Sequence, residues 1–106
     1  MDIKTKKFTE VIKEAQVIAR NFANLDPKPW PPEVKTLDLQ AKVGNLSQLI
    51  LNRQGFKKNQ NHSSEISEEL ATIFFIVLDL ADTYDVDFST VFDKLISDLK
   101  SEISSH

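Results

Sequence analysis

The chain has no cysteine, which excludes a disulfide framework, an iron–sulfur cluster, a thiolate zinc site and a cysteine nucleophile. Glycine occurs twice, at Gly44 and Gly55, and all four prolines fall between Pro27 and Pro32. Repeated β-hairpins need turn residues spread along the chain, so an all-helical fold is expected. There is no Gly-rich phosphate loop and no Gly-x-Ser-x-Gly elbow, which removes the usual nucleotide fingerprints and serine hydrolase chemistry. The two histidines, His62 and His106, stand in a polar stretch and at the last position, where solvation is expected. No apolar run is long enough for a bilayer: Leu70 to Ala81, interrupted only by Thr72 and Asp79, falls short of the roughly 20 residues required. Met1 to Lys7 lead into a mixed amphipathic stretch and not a signal sequence, so a cytoplasmic protein is the expectation.

What remains is enough for one domain over residues 1–106, with 41% hydrophobic and 27% charged residues and a net charge of -3. That balance exerts no global pull toward nucleic acid or an anionic membrane. The charge is nevertheless uneven. Residues 1–64 carry 11 bases and 6 acids, while residues 65–106 carry 2 bases and 10 acids. A basic helical hairpin packed against an acidic one explains this split.

Periodicity predicts four helices near 5–24, 32–54, 64–84 and 88–103. In the first, Phe8, Val11, Ile12, Ala15, Ile18, Ala19 and Phe22 recur at spacings of three and four, behind a Thr5 cap. The Pro-rich run from Asp26 ends it, and Pro31 or Pro32 opens the second, with Glu33 suited to its first turn. Apolar positions on more than one stripe of the second helix predict more than one neighbour, and Gly55 is its natural stop. Phe56 to Ser63 reads as an exposed loop, with Ser63 or Ser64 capping the third helix. The third helix is apolar around most of its circumference, which predicts a central position and a subunit interface drawing on Phe75, Ile76 and Leu78. Asp87 caps the fourth, whose stripe is Phe88, Val91, Phe92, Leu95, Leu99 and Ile103.

Three stretches carry a resemblance: Leu39-Gln-Ala-Lys-Val-Gly-Asn-Leu-Ser-Gln-Leu-Ile, then Ser67 to Asp82 beginning Ser-Glu-Glu-Leu-Ala, then Val86-Asp-Phe-Ser-Thr-Val-Phe-Asp-Lys-Leu. Over residues 34–100 the chain resembles the MazG-like nucleotide pyrophosphohydrolases. The resemblance implies an all-α four-helix bundle, a homodimer or tetramer, and cleavage of nucleoside triphosphates to monophosphate and pyrophosphate with magnesium. It also implies a metal site made of Glu-x-x-Glu on one helix facing Glu-x-x-Asp on the next. Residues three apart share a helix face, so two such pairs build an oxygen cage suited to a hard cation.

Those four positions fall on Lys42, Asn45, Glu69 and Thr72, of which Glu69 alone is a carboxylate. Three negative charges are missing and Lys42 adds a positive one. The expectation is therefore a relative with a dismantled metal site and no cofactor, acting as a nucleotide-binding or protein-interaction module. Two alternatives stand beside it. One is a magnesium-dependent pyrophosphohydrolase with relocated ligands, using Asp38 and Glu65, each one turn before Lys42 and Glu69; Asp79, seven residues after Thr72, lies too far along its helix. The other is an unrelated helical adaptor. Lys42 either contacts a phosphate or pairs with Glu69 across the helices, the pairing being the preferred account. Trp30 either stacks on a nucleobase or, as the preferred account, wedges into the bundle's end among the prolines. Lys94 stands near a lysine that the resemblance implies late in the last helix, without an asparagine after it.

Overall fold

A computed structural model describes residues 7–55 and 63–105. Within them the chain forms α1 (Phe8–Leu25), α2 (Pro32–Arg53), α3 (Ser63–Thr83) and α4 (Phe88–Ser104), with no strand among the described residues. The all-α, four-helix expectation holds, with boundaries displaced by a few residues. The expected Thr5 cap, the stretch 56–62 with His62, and His106 lie outside the described residues.

Local chemistry explains the helix ends. Asp26 closes α1, its backbone N–H donating to the Ala23 carbonyl. Pro31 is the N-cap of α2 and Pro32 its first residue, positions where a missing N–H costs nothing and a fixed φ is already helical. Gly55, at φ 81°, follows α2 in the left-handed region, and its N–H donates to the Asn52 carbonyl. Asp85 takes the same conformation after α3, at φ 54°. There the Asp85 N–H donates to the Asp82 carbonyl at 3.2 Å and the Val86 N–H to the Ala81 carbonyl at 2.8 Å, the paired bonds of a Schellman ending. Asp87 caps α4 as expected, accepting from the Thr90 N–H at 3.3 Å, the Thr90 hydroxyl at 3.0 Å and the Ser89 hydroxyl at 3.0 Å. These donors, led by the Thr90 hydroxyl, hold the Asp87 carboxyl below its ordinary range.

Packing centres on α3, which lies against α2 along most of its length and against α1 on another side. The buried residues are Ile12, Gln16 and Ala19 from α1 and Ile76, Leu78 and Ala81 from α3. Gln16 was absent from the apolar stripe, yet it lies four residues after Ile12 and three before Ala19, on the same face. Its Nε2 donates to the Leu78 carbonyl at 2.9 Å, which satisfies the buried amide.

Ion pairs among the described residues tie the basic half to the acidic half. Arg20 grips Asp82 through two bonds of 2.7 Å, and Lys35 Nζ lies 3.0 Å from Asp79 Oδ2. The Arg20 hydrogen bonds lower the Asp82 pKa, and the same contact raises that of Arg20. These contacts run from α1 and α2 to α3; among the described residues α1 and α2 do not pack on one another as a hairpin, and α4 packs mainly on α1, so the expected basic hairpin against an acidic hairpin is not the arrangement found.

Two packing expectations are corrected. Ile76 is 9% exposed and Leu78 2% exposed, so α3 spends these two side chains inside its own chain and not on a subunit interface; Phe75 is half-buried and lines a cleft. Helix α2 makes extensive contact with α3 alone, so its second apolar stripe, including Leu37 and Leu51, faces outward. At the other end, Phe8, Phe74, Phe88 and Phe92 form a ring cluster with centroids 5.8–6.3 Å apart, which fastens the start of α4 to α1 and α3.

Candidate functional site

The α2–α3 pair determines where the singled-out residues meet. On α2, Asp38, Lys42, Asn45 and Leu49 follow one another at three- and four-residue steps, and on α3 Glu65, Glu69 and Thr72 do the same. The two rows face each other. Apart from Asp38, they line a cleft of about 440 Å³ that contains Lys42, Asn45, Gln48, Leu49, Glu65, Glu68, Glu69 and Thr72. All four motif positions, Lys42, Asn45, Glu69 and Thr72, therefore share one cavity.

The charges within it are arranged differently from the expectation. Lys42 Nζ lies 3.9 Å from Asp38 Oδ1, one turn back on its own helix, and makes no ion pair with Glu69. The reason is local: an i,i+4 partner is available on the same face, and Lys42 is half-buried, so no deep burial forces it to cross the cleft. Glu69 is likewise half-buried and keeps contact with solvent. The Thr72 hydroxyl is turned toward its own helix and donates to the Glu68 carbonyl at 2.9 Å.

These residues do not fit a magnesium ion. A hard cation of that size needs near-octahedral anionic oxygen ligands, whereas the four positions offer one carboxylate, one amide, one hydroxyl and an ammonium. The relocated site fares no better. Asp38 lines a different cleft from Glu65 and Glu69, and among the described residues no three carboxylate or histidine side chains come together as a metal-binding group.

That second cleft, of about 370 Å³, lies between the end of α1, the proline segment, α2 and α3. Its apolar wall is Ala19, Phe22, Phe75 and Ile76, its rim is Pro29 and Trp30, and its polar groups include Lys35, Asp38, Asp79 and Thr72. Trp30 is 53% exposed, so the indole is not wedged into the bundle's end but lines this cleft beside Pro29, half open to solvent. Lys35 and Asp79 neutralise each other, and Lys35 Nζ also reaches the Thr83 hydroxyl at 3.5 Å. Thr72 lines both clefts and is the point at which they adjoin. The sequence offered one signal for this second cleft, the lone tryptophan before α2. The contribution of Phe22 and Phe75 depends on how α1 crosses α3 and had no signal in the sequence. Lys94 takes no part in either cleft; it pairs with Asp98 on α4 at 2.9 Å.

No family model, curated protein or solved structure matches this chain. No helix among the described residues is long and apolar enough to cross a membrane.

Proposed function

We propose that this protein is a divergent MazG-like relative that binds a nucleotide without hydrolysing it. The observation that carries the reading is the convergence of Lys42, Asn45, Glu69 and Thr72 on one cleft directly beside a second cleft bearing Trp30. A nucleobase is flat, apolar on its faces and polar at its edge. The second cleft offers matching chemistry: the indole for stacking, Phe22, Phe75 and Ile76 as an apolar wall, and the Asp38 carboxylate as an acceptor for a base amino group. Thr72 marks the passage to the first cleft, where Lys42 offers a point charge and Asn45 an amide to a phosphate. Among the described residues no group of carboxylates is placed to hold a cation, and without one the charge that develops on the transferring phosphoryl group goes unstabilised, which argues against pyrophosphate release.

Because Trp30 is the sole tryptophan, its emission reports the site directly. Titration with nucleoside mono- and triphosphates, with and without magnesium, should change that emission saturably. Calorimetry should show the binding lost in Trp30→Ala, and no pyrophosphate should be released. A flat titration across the panel would refute nucleotide binding, and magnesium-dependent pyrophosphate release would establish the active-enzyme alternative in its place.

A further inference from the structure

The second cleft has an uneven supply of hydrogen-bonding groups. Three carboxylates line it, Asp26, Asp38 and Asp79, against one cation, Lys35. That cation is engaged: Lys35 Nζ lies 3.0 Å from Asp79 Oδ2 and donates to the Thr83 hydroxyl at 3.5 Å. The Thr72 hydroxyl proton goes to the Glu68 carbonyl at 2.9 Å, which leaves that oxygen able only to accept. Asp26 Oδ1 accepts from the Lys28 backbone N–H at 2.8 Å and is held to its own loop. Asp38 differs. Its charged partner, Lys42 Nζ, is 3.9 Å away, too far for a hydrogen bond, and the Asp38 side chain is 30% exposed. The Trp30 N–H lies in the plane of the indole, so it is not directed at the edge of a ring stacked on the indole face. What the cleft offers a flat ligand is therefore stacking surface and acceptors, with the Asp38 carboxylate the strongest of them.

We infer that this cleft selects guanine among the bases, the Asp38 carboxylate accepting in parallel from the ring N–H and the neighbouring amino group. The inference rests on the nucleotide reading and names the base within it. Guanine presents two adjacent donors on one edge, spaced to match the two oxygens of one carboxylate. Adenine and cytosine present an amino group beside a ring-nitrogen acceptor, so one carboxylate oxygen would meet a lone pair. Uracil sets its single N–H between two carbonyls, and both of those oxygens oppose a wall of acceptors. Hypoxanthine, which is guanine without the amino group, keeps the N–H and forfeits the second bond. Charge points the same way, because three carboxylates against one ammonium favour the positive edge of a donor pair.

Calorimetric titration of the full chain with the monophosphates of guanosine, inosine, adenosine, cytidine and uridine tests this. The five share ribose and phosphate, so the neighbouring cleft contributes equally and differences report the base. Guanosine monophosphate should bind tightest, and inosine monophosphate about tenfold more weakly for the loss of one charge-assisted hydrogen bond. Asp38→Asn replaces two acceptors with one acceptor and one donor, which matches the N–H and carbonyl of hypoxanthine. The folded variant should lose the guanosine preference and bind inosine monophosphate at least as well as wild type does. A purely structural role for Asp38 would weaken both ligands together. Wild type that binds guanosine monophosphate no tighter than the other four, or a folded Asp38→Asn that keeps the ratio or loses both ligands alike, would overturn the guanine assignment and leave nucleotide binding standing. Binding of none of the five to wild type would overturn both. The comparison of ligands on wild type does not depend on the variant folding.

Discussion

Lys42 turns back to Asp38 on its own helix, 3.9 Å away, and not across the cleft to Glu69. Both partners are partly exposed, so the pair is a surface interaction and not a buried charge compensation. Replacing Lys42 with Met should therefore change the free energy of unfolding by no more than about 0.5 kcal/mol, measured by urea denaturation. A loss of several kcal/mol would show that Glu69 depends on Lys42 after all.

The shared cleft makes a gain-of-metal experiment direct. Lys42→Glu, Asn45→Glu and Thr72→Asp together would put a carboxylate at each of the four motif positions, Glu69 included, in one cavity that also holds Glu65 and Glu68. Wild type should show no magnesium-dependent rise in melting temperature. The triple variant should melt lower than wild type without metal, because like charges then face one another, and should recover stability as magnesium is added. A magnesium shift in wild type with none in the variant would place the carboxylate site elsewhere.

Gln16 tests how α1 is registered on α3. Gln16→Leu should be tolerated within about 1 kcal/mol, because an apolar side chain of similar size replaces the amide and the Leu78 carbonyl retains its helical bond. Gln16→Ala should cost about 1–2 kcal/mol through the lost bond and the space left behind. Gln16→Glu places an acceptor against an acceptor. It should be the least stable of the three at pH 7 and should gain relative stability toward pH 4.5, where the protonated acid can again donate to that carbonyl. Chemical denaturation at the two pH values checks the sign.

Asp82 supplies a pH dependence. Its folded pKa lies below that of the unfolded chain because Arg20 hydrogen-bonds the carboxylate, so the unfolded state takes up a proton first as the solution is acidified. The contribution is complete above the unfolded value of about 3.9 and is lost as pH falls through the lowered folded value. Asp82→Asn should therefore be less stable than wild type at pH 6, with the difference closing toward pH 2. A difference that stays constant over that range would assign the effect to packing and not to charge.

The sequence suffices for most helix boundaries because these ends have a local cause. Proline at 31 and 32, Gly55 past α2 and Asp87 before α4 act within a few residues, and three- and four-residue periodicity reports one helix at a time. The family resemblance places its metal motif on Lys42, Asn45, Glu69 and Thr72, and the three-residue spacing within each helix puts these side chains in one cleft. What periodicity does not contain is which of several apolar faces finds a partner. The near-continuous apolar run of α3 is packed on by both α1 and α2, while exposed apolar side chains remain on the later turns of α4 and the outer side of α2. The position of Trp30 in the lining of a cleft and the choice of Asp38 by Lys42 likewise depend on helix crossing and on distances of a few ångströms. Those quantities come from summed packing between segments far apart in the chain, and only the tertiary structure decides them.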